Sequence, residues 1–384
     1  MGESRPADTV VIGGGCVGLS VAHALARLGR GGIVLVEREA VHGAGSTGLG
    51  AGGVRAQFST DINIRLSIES MRIFADFERE TGAPLAYEPI GYLFLAATDH
   101  AWRELHENNA RQRAHGVPAD LLSPRDVAAR FGFLDSSRLC GAAWCPVDGV
   151  TDPHAVVQGY ASAARRLGVE MAMSTAARAL RFDAARSAWM IETDRGGITA
   201  QNVVIAAGVW SPAPAASVGV DLPIRPLRRV CFVARADDAP SDLPFVIDTA
   251  TGFWMRPETG GVVMGMPRAD EPHSFILDMD LDLWTDVLDA GSTVAPFVAG
   301  ARRTGGWAGL YEMTPDLHPI VGAVPGRPGM FVAAGFSGHG FMHAPAVGRH
   351  LAHLIAHGRS ALDLTPLSPA RFARSGFVSE TRYV

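Results

Sequence analysis

Cysteine is scarce, with four residues in a chain of 384. That is too few for a disulfide framework, and Cys140 and Cys145 lack the CxxC spacing of a zinc site. Reduced thiols and no metal centre are therefore expected. No apolar run reaches the 18 residues of a membrane-spanning helix, so no membrane span is expected. The first eight residues are polar and lack the apolar centre of a signal peptide, which makes the cytoplasm the expected location. An excess of basic charge is also missing. Lys and Arg number 34 against 39 Asp and Glu, a net charge of −5 that gives no reason to expect a nucleic-acid partner. Internal repeats and low-complexity linkers are absent. What is present, 47% hydrophobic and 19% charged residues, describes a soluble globular chain long enough for two domains.

The chain opens on a β-branched run, Thr9 to Ile12, followed by Gly13-Gly14-Gly15-Cys16-Val17-Gly18 and an apolar-periodic stretch from Leu19 to Leu28. Strand, glycine turn and helix form the context that a dinucleotide-binding GxGxxG needs. Gly13 suits the tight turn, Gly15 the close approach of a pyrophosphate, and Gly18 the packing of helix on strand. The backbone at Cys16 and Val17 then presents free N–H groups and a positive dipole end to phosphate. A second apolar run, Ile33 to Val36, ends at Glu37-Arg38, where an acid can accept hydrogen bonds from a ribose.

Further strand and helix repeats do not follow directly. The segment from Gly43 to Gly53 is too rich in glycine for a strand or a stable helix, and it lets backbone approach a flat ring closely. Two more short apolar strands end in small residues: Val203 to Gly208, leading to Trp210, and Met330 to Ala334, leading to Gly335. These exits imply one sheet assembled from discontinuous segments. A helix is expected to start near Pro345, and helical periodicity also marks Arg65 to Glu80 and Asp152 to Leu167.

At these residues the sequence resembles the D-amino-acid oxidase superfamily of FAD enzymes, in the branch of sarcosine oxidase and the sarcosine or proline dehydrogenase β-subunits. The resemblance is carried by AGSTGLGAGGVRAQFS (44–59), VVIAAGVWS (203–211), WAGLYEMTPDLHPIVG (307–322) and GFSGHGFMHAPAVGR (335–349). It implies an α/β fold: a Rossmann-type βαβ FAD domain built from residues 1–85, 146–225 and 307–384. An α+β substrate domain with a mixed or antiparallel sheet would take residues 86–145 and 226–306. FAD contacts are implied for the fingerprint residues, for Gly45, Ser46, Thr47, Leu49, Gly50, Ala51 and Gly52, and for Ala207, Gly208 and Trp210. The turn Gly338-His339-Gly340-Phe341-Met342 would offer N–H groups and a helix dipole to reduced flavin.

Enzymes of this branch oxidise an amine by hydride transfer from the carbon beside nitrogen to flavin N5, and the imine hydrolyses in water. The resemblance makes Arg55 the holder of a substrate carboxylate, a task suited to a guanidinium fork. Tyr311 matches an active-site tyrosine, and Trp254 is a candidate ring wall. Four positions depart from the pattern. Gly309 and Leu49 replace the cysteine and the histidine that attach FAD covalently in relatives, so noncovalent FAD is expected. Val263 stands where sarcosine oxidases carry the lysine that promotes reaction with oxygen, which favours a dehydrogenase using another acceptor, such as a redox protein, or a slow oxidase using O2. Met342 replaces a second carboxylate-binding lysine, so either His343 acts with Arg55 or the substrate carries no carboxylate and the pocket is remodelled. Other readings are a hydroxy-acid dehydrogenase of the same superfamily, and a flavin-binding subunit or assembly factor of a larger redox complex. Homo- or hetero-oligomers are compatible with either.

Overall fold

The computed structural model describes residues 4–373 and 377–381. The first strand, Arg5–Ile12, lies at the centre of a sheet, flanked in parallel by Ile33–Val36 on one side and by Gly196–Ile205 on the other. Met330–Ala334 extends the parallel set beyond Gly196–Ile205, and Glu170–Ala172 extends it beyond Ile33–Val36. The glycine-bearing exits after Ile12, Ile205 and Ala334 therefore open on one edge of one sheet. Antiparallel strands Ala177–Asp183 and Ala188–Thr193 continue from the start of Gly196–Ile205.

Alternation of side chains explains why the central strands are apolar throughout. Val11, Leu35, Val204 and Ala333 face a core shared with the helices Cys16–Arg27, Pro153–Arg166 and Gly340–His357. Val10, Ile12, Val34, Val36 and Ile205 face a second core with Trp189, Ile191 and Leu222. A strand covered on both faces needs no polar face.

A second sheet runs in the order Arg302–Met313, Arg225–Arg235, Gly261–Gly265, Trp254–Glu258, Phe245–Asp248, Tyr92–Ala96, Gly141–Cys145 and Asp120–Leu122. Every pairing is antiparallel except Phe245–Asp248 with Tyr92–Ala96. The long pair Arg225–Arg235 and Arg302–Met313 straddles the expected domain limits at 225/226 and 306/307. Its core gathers Phe232, Phe253, Met255 and Val262 against the helix Leu283–Val294.

Two helix limits differ from expectation. The helix expected near Pro345 begins at Gly340, because the turn before it closes at His339; Pro345 sits inside, leaving the Phe341 carbonyl without its helical donor. The periodicity at Arg65 to Glu80 extends upstream to Asp61 and breaks at Asp76, giving helices Asp61–Ala75 and Phe77–Thr81. All four cysteines are free thiols.

The fingerprint glycines are fixed by contact. Gly13 has φ +115°, and a Cβ there would lie 2.3 Å from the Ala206 carbonyl oxygen. A Cβ on Gly18 would lie 2.0 Å from the carbonyl oxygen of Gly13. Gly18→Ala must push the first helix off its strand, and we expect a loss of about 1–3 kcal/mol, read from urea unfolding midpoints. An unchanged midpoint would show that helix and strand separate without cost.

Candidate active site

Two adjoining cavities of about 1250 and 1160 Å3 occupy the exit edge of the first sheet, and Val17, Ser46, Thr47 and Glu312 line both. Every residue expected to hold the cofactor lines one or the other except Gly18, which packs helix to strand. The first cavity beyond the fingerprint takes in Gly13, Gly15, Glu37, Arg38, Gly45, Ala207, Gly208 and Trp210. The Glu37 carboxylate accepts the N–H of Gly14 at 2.6 Å and of Glu39 at 2.9 Å, which anchors it at the strand end. The Arg38 guanidinium lies 3.9 Å over the Trp210 ring and gives this cavity a flat wall.

The second cavity lies between the glycine loop and the second sheet, lined by Cys16, Leu49, Gly50, Ala51, Gly52, Arg55, Trp254, Tyr311 and the turn Gly338 to Met342. Gly338, at φ +99°, passes directly beneath Tyr311, where a Cβ would lie 2.4 Å from the ring. Trp254 stacks on Phe245, which stacks on Tyr92 with centroids 4.2 Å apart. These three rings form an aromatic wall, and Trp254 stands at its end.

Arg55 is buried, donates to the Gln57 carbonyl at 2.8 Å, and lies 4.2 Å over the Phe58 ring. Burial pushes its pKa down, while Tyr92, Glu380 and Asp148 act in the opposite sense. Asp148 also shapes the Arg55 loop by accepting Ala56 N–H at 2.9 Å and Gln57 Nε2 at 3.1 Å. Glu380 fixes the loop's far end, accepting from Ser59, Thr60 Oγ1 at 2.7 Å and Asn63 Nδ2 at 3.0 Å.

His343, expected beside Arg55 as a substrate ligand, lies behind the cavity wall instead. Its Nε2 is 2.9 Å from Ser67 Oγ and its ring packs on Phe58. Burial, His339 and Arg55 hold its pKa well below 6.5, so it is a neutral imidazole and cannot replace a lysine. His339 does line the cavity and is likewise held neutral by burial. Neither of its ring nitrogens meets a partner among the described residues. Val263 is fully buried and outside the cavity lining; across the strand from it, Arg256 donates to the Ala51 carbonyl at 2.9 Å.

Glu312 and Arg229 are among the lining residues that the local sequence does not single out. Glu312 directly follows Tyr311 in the chain. It is buried where the cavities meet and accepts Gly335 N–H at 2.7 Å. Arg229 reaches the cavity from another strand, opposite Gly309, so only the sheet register brings it there. Burial raises the Glu312 carboxyl from 4.5 to about 7. Between those values the unfolded chain has released this proton and the native state still holds it, so stability falls as pH rises through the window. We expect flavin-free Glu312→Gln to be more stable than the parent at pH 8, by at most about 3 kcal/mol, and equal to it near pH 4. Urea midpoints at the two pH values check this; an advantage independent of pH would rule out the buried acid as its source.

The residues fit a flavin dinucleotide. Neither helix whose first turn lines the cavities, Cys16–Arg27 or Gly340–His357, is capped by its own N-cap side chain, and beyond the Cys16 N–H that Thr47 accepts they leave N–H groups for a ligand. A family model for FAD dependent oxidoreductases matches residues 8–354. The chain is similar to L-proline dehydrogenase from P. horikoshii, with a TM-score of 0.89 and 29% identity, covering 97% of this chain and 99% of that one. It is 27% identical over 374 residues to glycine oxidase from Geobacillus kaustophilus, covering 95% of this chain and 97% of that one. Mitochondrial dimethylglycine dehydrogenase of Rattus norvegicus is 28% identical over 389 residues, 96% of this chain and 45% of the relative. This chain thus spans less than half the length of the dimethylglycine and sarcosine dehydrogenases it matches. With the fingerprint, the joined cavities and a match over nearly its whole length, the chain belongs to the FAD dependent oxidoreductase family.

Proposed function

We propose that this protein oxidises the C–N bond of an amino acid or N-alkyl amino acid to an imine, with FAD held noncovalently and electrons passed to an acceptor other than oxygen. The observation that carries the reading is the meeting of Arg55 and Tyr311 in the cavity formed by the glycine loop, continuous with the dinucleotide cavity at Glu312. Bound FAD would take the hydride from the carbon beside nitrogen, and water would hydrolyse the imine. Arg55 orients the substrate carboxylate, and its burial in a loop held at both ends keeps the fork in place. The aromatic wall of Tyr92, Phe245 and Trp254 excludes water from the opposite side. The uncapped N-terminus of the helix Gly340–His357 supplies positive potential where negative charge develops. On this reading residues 1–85, 146–225 and 307–384 serve the cofactor, while 86–145 and 226–306 serve the substrate. The free thiols suit a reducing cytoplasm.

Noncovalent attachment is supported by the chemistry available. Gly309 and Leu49 face each other, a Cβ on Gly309 lying 3.1 Å from that of Leu49, and neither offers a nucleophile. Cys16 and Cys231 also line the cavity, but burial pushes both thiols up to about 12, far from thiolate.

Acid precipitation should leave the flavin absorbance in the supernatant, and a yellow pellet would overturn noncovalent binding. Anaerobic addition of sarcosine, proline or a related N-alkyl amino acid should bleach the flavin, and air should restore it slowly. Fast return in air would make the protein an oxidase, and no bleaching by any amine would remove the reading itself. Replacing Arg55 with Met should raise KM for a carboxylate substrate about 10- to 100-fold, the equivalent of one lost charge-assisted pair. An unchanged KM in steady-state assays would take Arg55 out of the binding role.

A further inference from the structure

Arg229 is a second guanidinium on the cavity wall. It stands on the strand Arg225–Arg235 next to Arg228, and the two point to opposite faces, as neighbours on a strand must. Arg228 faces outward and is fully matched. Its Nε and NH2 donate to the two Glu271 carboxylate oxygens at 2.9 and 3.2 Å, and Asp280 lies 3.8 Å away. Arg229 faces the cavity and has no carboxylate partner among the described residues. Its NH1 makes one long bond, 3.3 Å, to the Arg228 carbonyl, and its buried Nε meets no partner among the described residues.

The surroundings hold this group in place without neutralising it. Its Cζ lies 5.2 Å over the Tyr311 ring, a cation–π contact. Its cross-strand partner is Gly309, which adds no side chain beside it. Arg55, by contrast, has the charges of Glu380 and Asp148 nearby. Glu312, the acid in this cavity's lining, forms no ion pair with Arg229 among the described residues, and burial raises its carboxyl to about 7. A half-buried guanidinium without a counter-charge is costly unless a ligand completes it.

We infer that Arg229 determines specificity by binding a second carboxylate, so that the preferred substrate is an N-substituted amino acid bearing two carboxylates. The inference rests on the proposed amine oxidation, in which Arg55 takes the carboxylate beside the reacting carbon. Arg229 then takes the other, which lies on the N-substituent or at the end of the side chain. The reacting carbon is thereby suspended between two forks near Tyr311, a two-point grip that a monocarboxylate cannot make.

The test uses the FAD-loaded protein and two readouts. In the first, acetate, propionate, succinate and glutarate are titrated as unreactive ligands against the visible flavin spectrum. In the second, kcat/KM is compared for sarcosine, N-(carboxymethyl)glycine and N-methylglutamate. The parent should bind the dicarboxylates at least 10-fold more tightly and prefer a dicarboxylate substrate. Arg229→Gln should erase both preferences while changing monocarboxylate affinity less than twofold, and Arg229→Lys should retain part of each. Equal weakening of both ligand classes would make Arg229 a general structural or α-carboxylate residue and overturn the inference. So would a parent with no dicarboxylate preference, a measurement that stands even if Arg229→Gln does not fold. The two readings fail separately. Arg229-dependent dicarboxylate binding without bleaching by any amine would sink amine oxidation and leave the anion site standing. Bleaching by amines regardless of a second carboxylate would do the reverse.

Discussion

The segment from Gly43 to Gly53 cannot order itself, because its glycines have too much conformational freedom to lose and too few side chains to pack. It is held from outside. Ser46 Oγ donates to the Leu310 carbonyl at 2.7 Å, Trp307 Nε1 to the Leu49 carbonyl at 2.8 Å, and Arg256 Nε to the Ala51 carbonyl at 2.9 Å. All three bonds come from or go to the second sheet, so the loop is stitched along the strands that roof the cavity. On its other side it meets the first helix, where Thr47 Oγ1 accepts the Cys16 N–H at 3.2 Å. Both cavities depend on this single arrangement, since the loop is the partition each of them shares.

The same logic governs the charges around the site, which are set by burial before they are set by chemistry. Asp316 and Arg371 form a bidentate buried pair, at 2.6 and 3.0 Å, and Asp316 offers its backbone carbonyl to Glu380 N–H. Glu380 in turn holds the residues that follow Arg55. The Asp of the TPDLHP segment therefore acts at a distance: it ties the chain's later residues to the loop that carries Arg55. Asp148 holds the near end of that loop, and burial raises its carboxyl to about 6. Both imidazoles on this side remain neutral, so the positive charge facing the cavity is confined to guanidinium groups.

What could be read from the sequence was whatever is encoded locally. A strand, a glycine turn and a helix declare themselves within thirty or so residues, and the strand exits at Gly208 and Gly335 carry the same signature. The lining residues on those segments were therefore legible, from Gly13 to Met342. Non-local geometry was not. Arg229 enters the cavity only through its register with Gly309, some eighty positions later in the chain. His343 was misplaced for a related reason: its neighbour Met342 lines the cavity, but one helical step of about 100° turns His343 toward Ser67. The start of the last helix was missed because Pro345 is a good first-turn residue that also survives further inside when its displaced carbonyl is near a helix end.

The positions of the guanidinium groups also bear on where electrons go. A cation that assists oxygen must be free to meet a small anion at the flavin, and Val263 cannot provide one. Arg256 lies across the strand from Val263, yet its Nε is committed to Ala51 and its NH1 to the Pro257 carbonyl at 2.7 Å and Glu258 at 3.1 Å. Releasing it would cost the glycine loop one of its three ties. Arg55 donates to Gln57 and lies against the aromatic faces of Phe58 and Phe94, and on the proposed reading its fork is taken by the substrate carboxylate. Among the described residues Arg229 combines a place on the cavity wall with no carboxylate partner, and its place beside Tyr311 suits a carboxylate ligand. A ligand that pairs with Arg229 removes the last unmatched guanidinium from the cavity, so substrate binding itself lowers the positive potential available to oxygen. On the proposed reading, selectivity for an anionic substrate and poor reactivity with oxygen would have one physical origin, the distribution of a few guanidinium groups between structure and ligand.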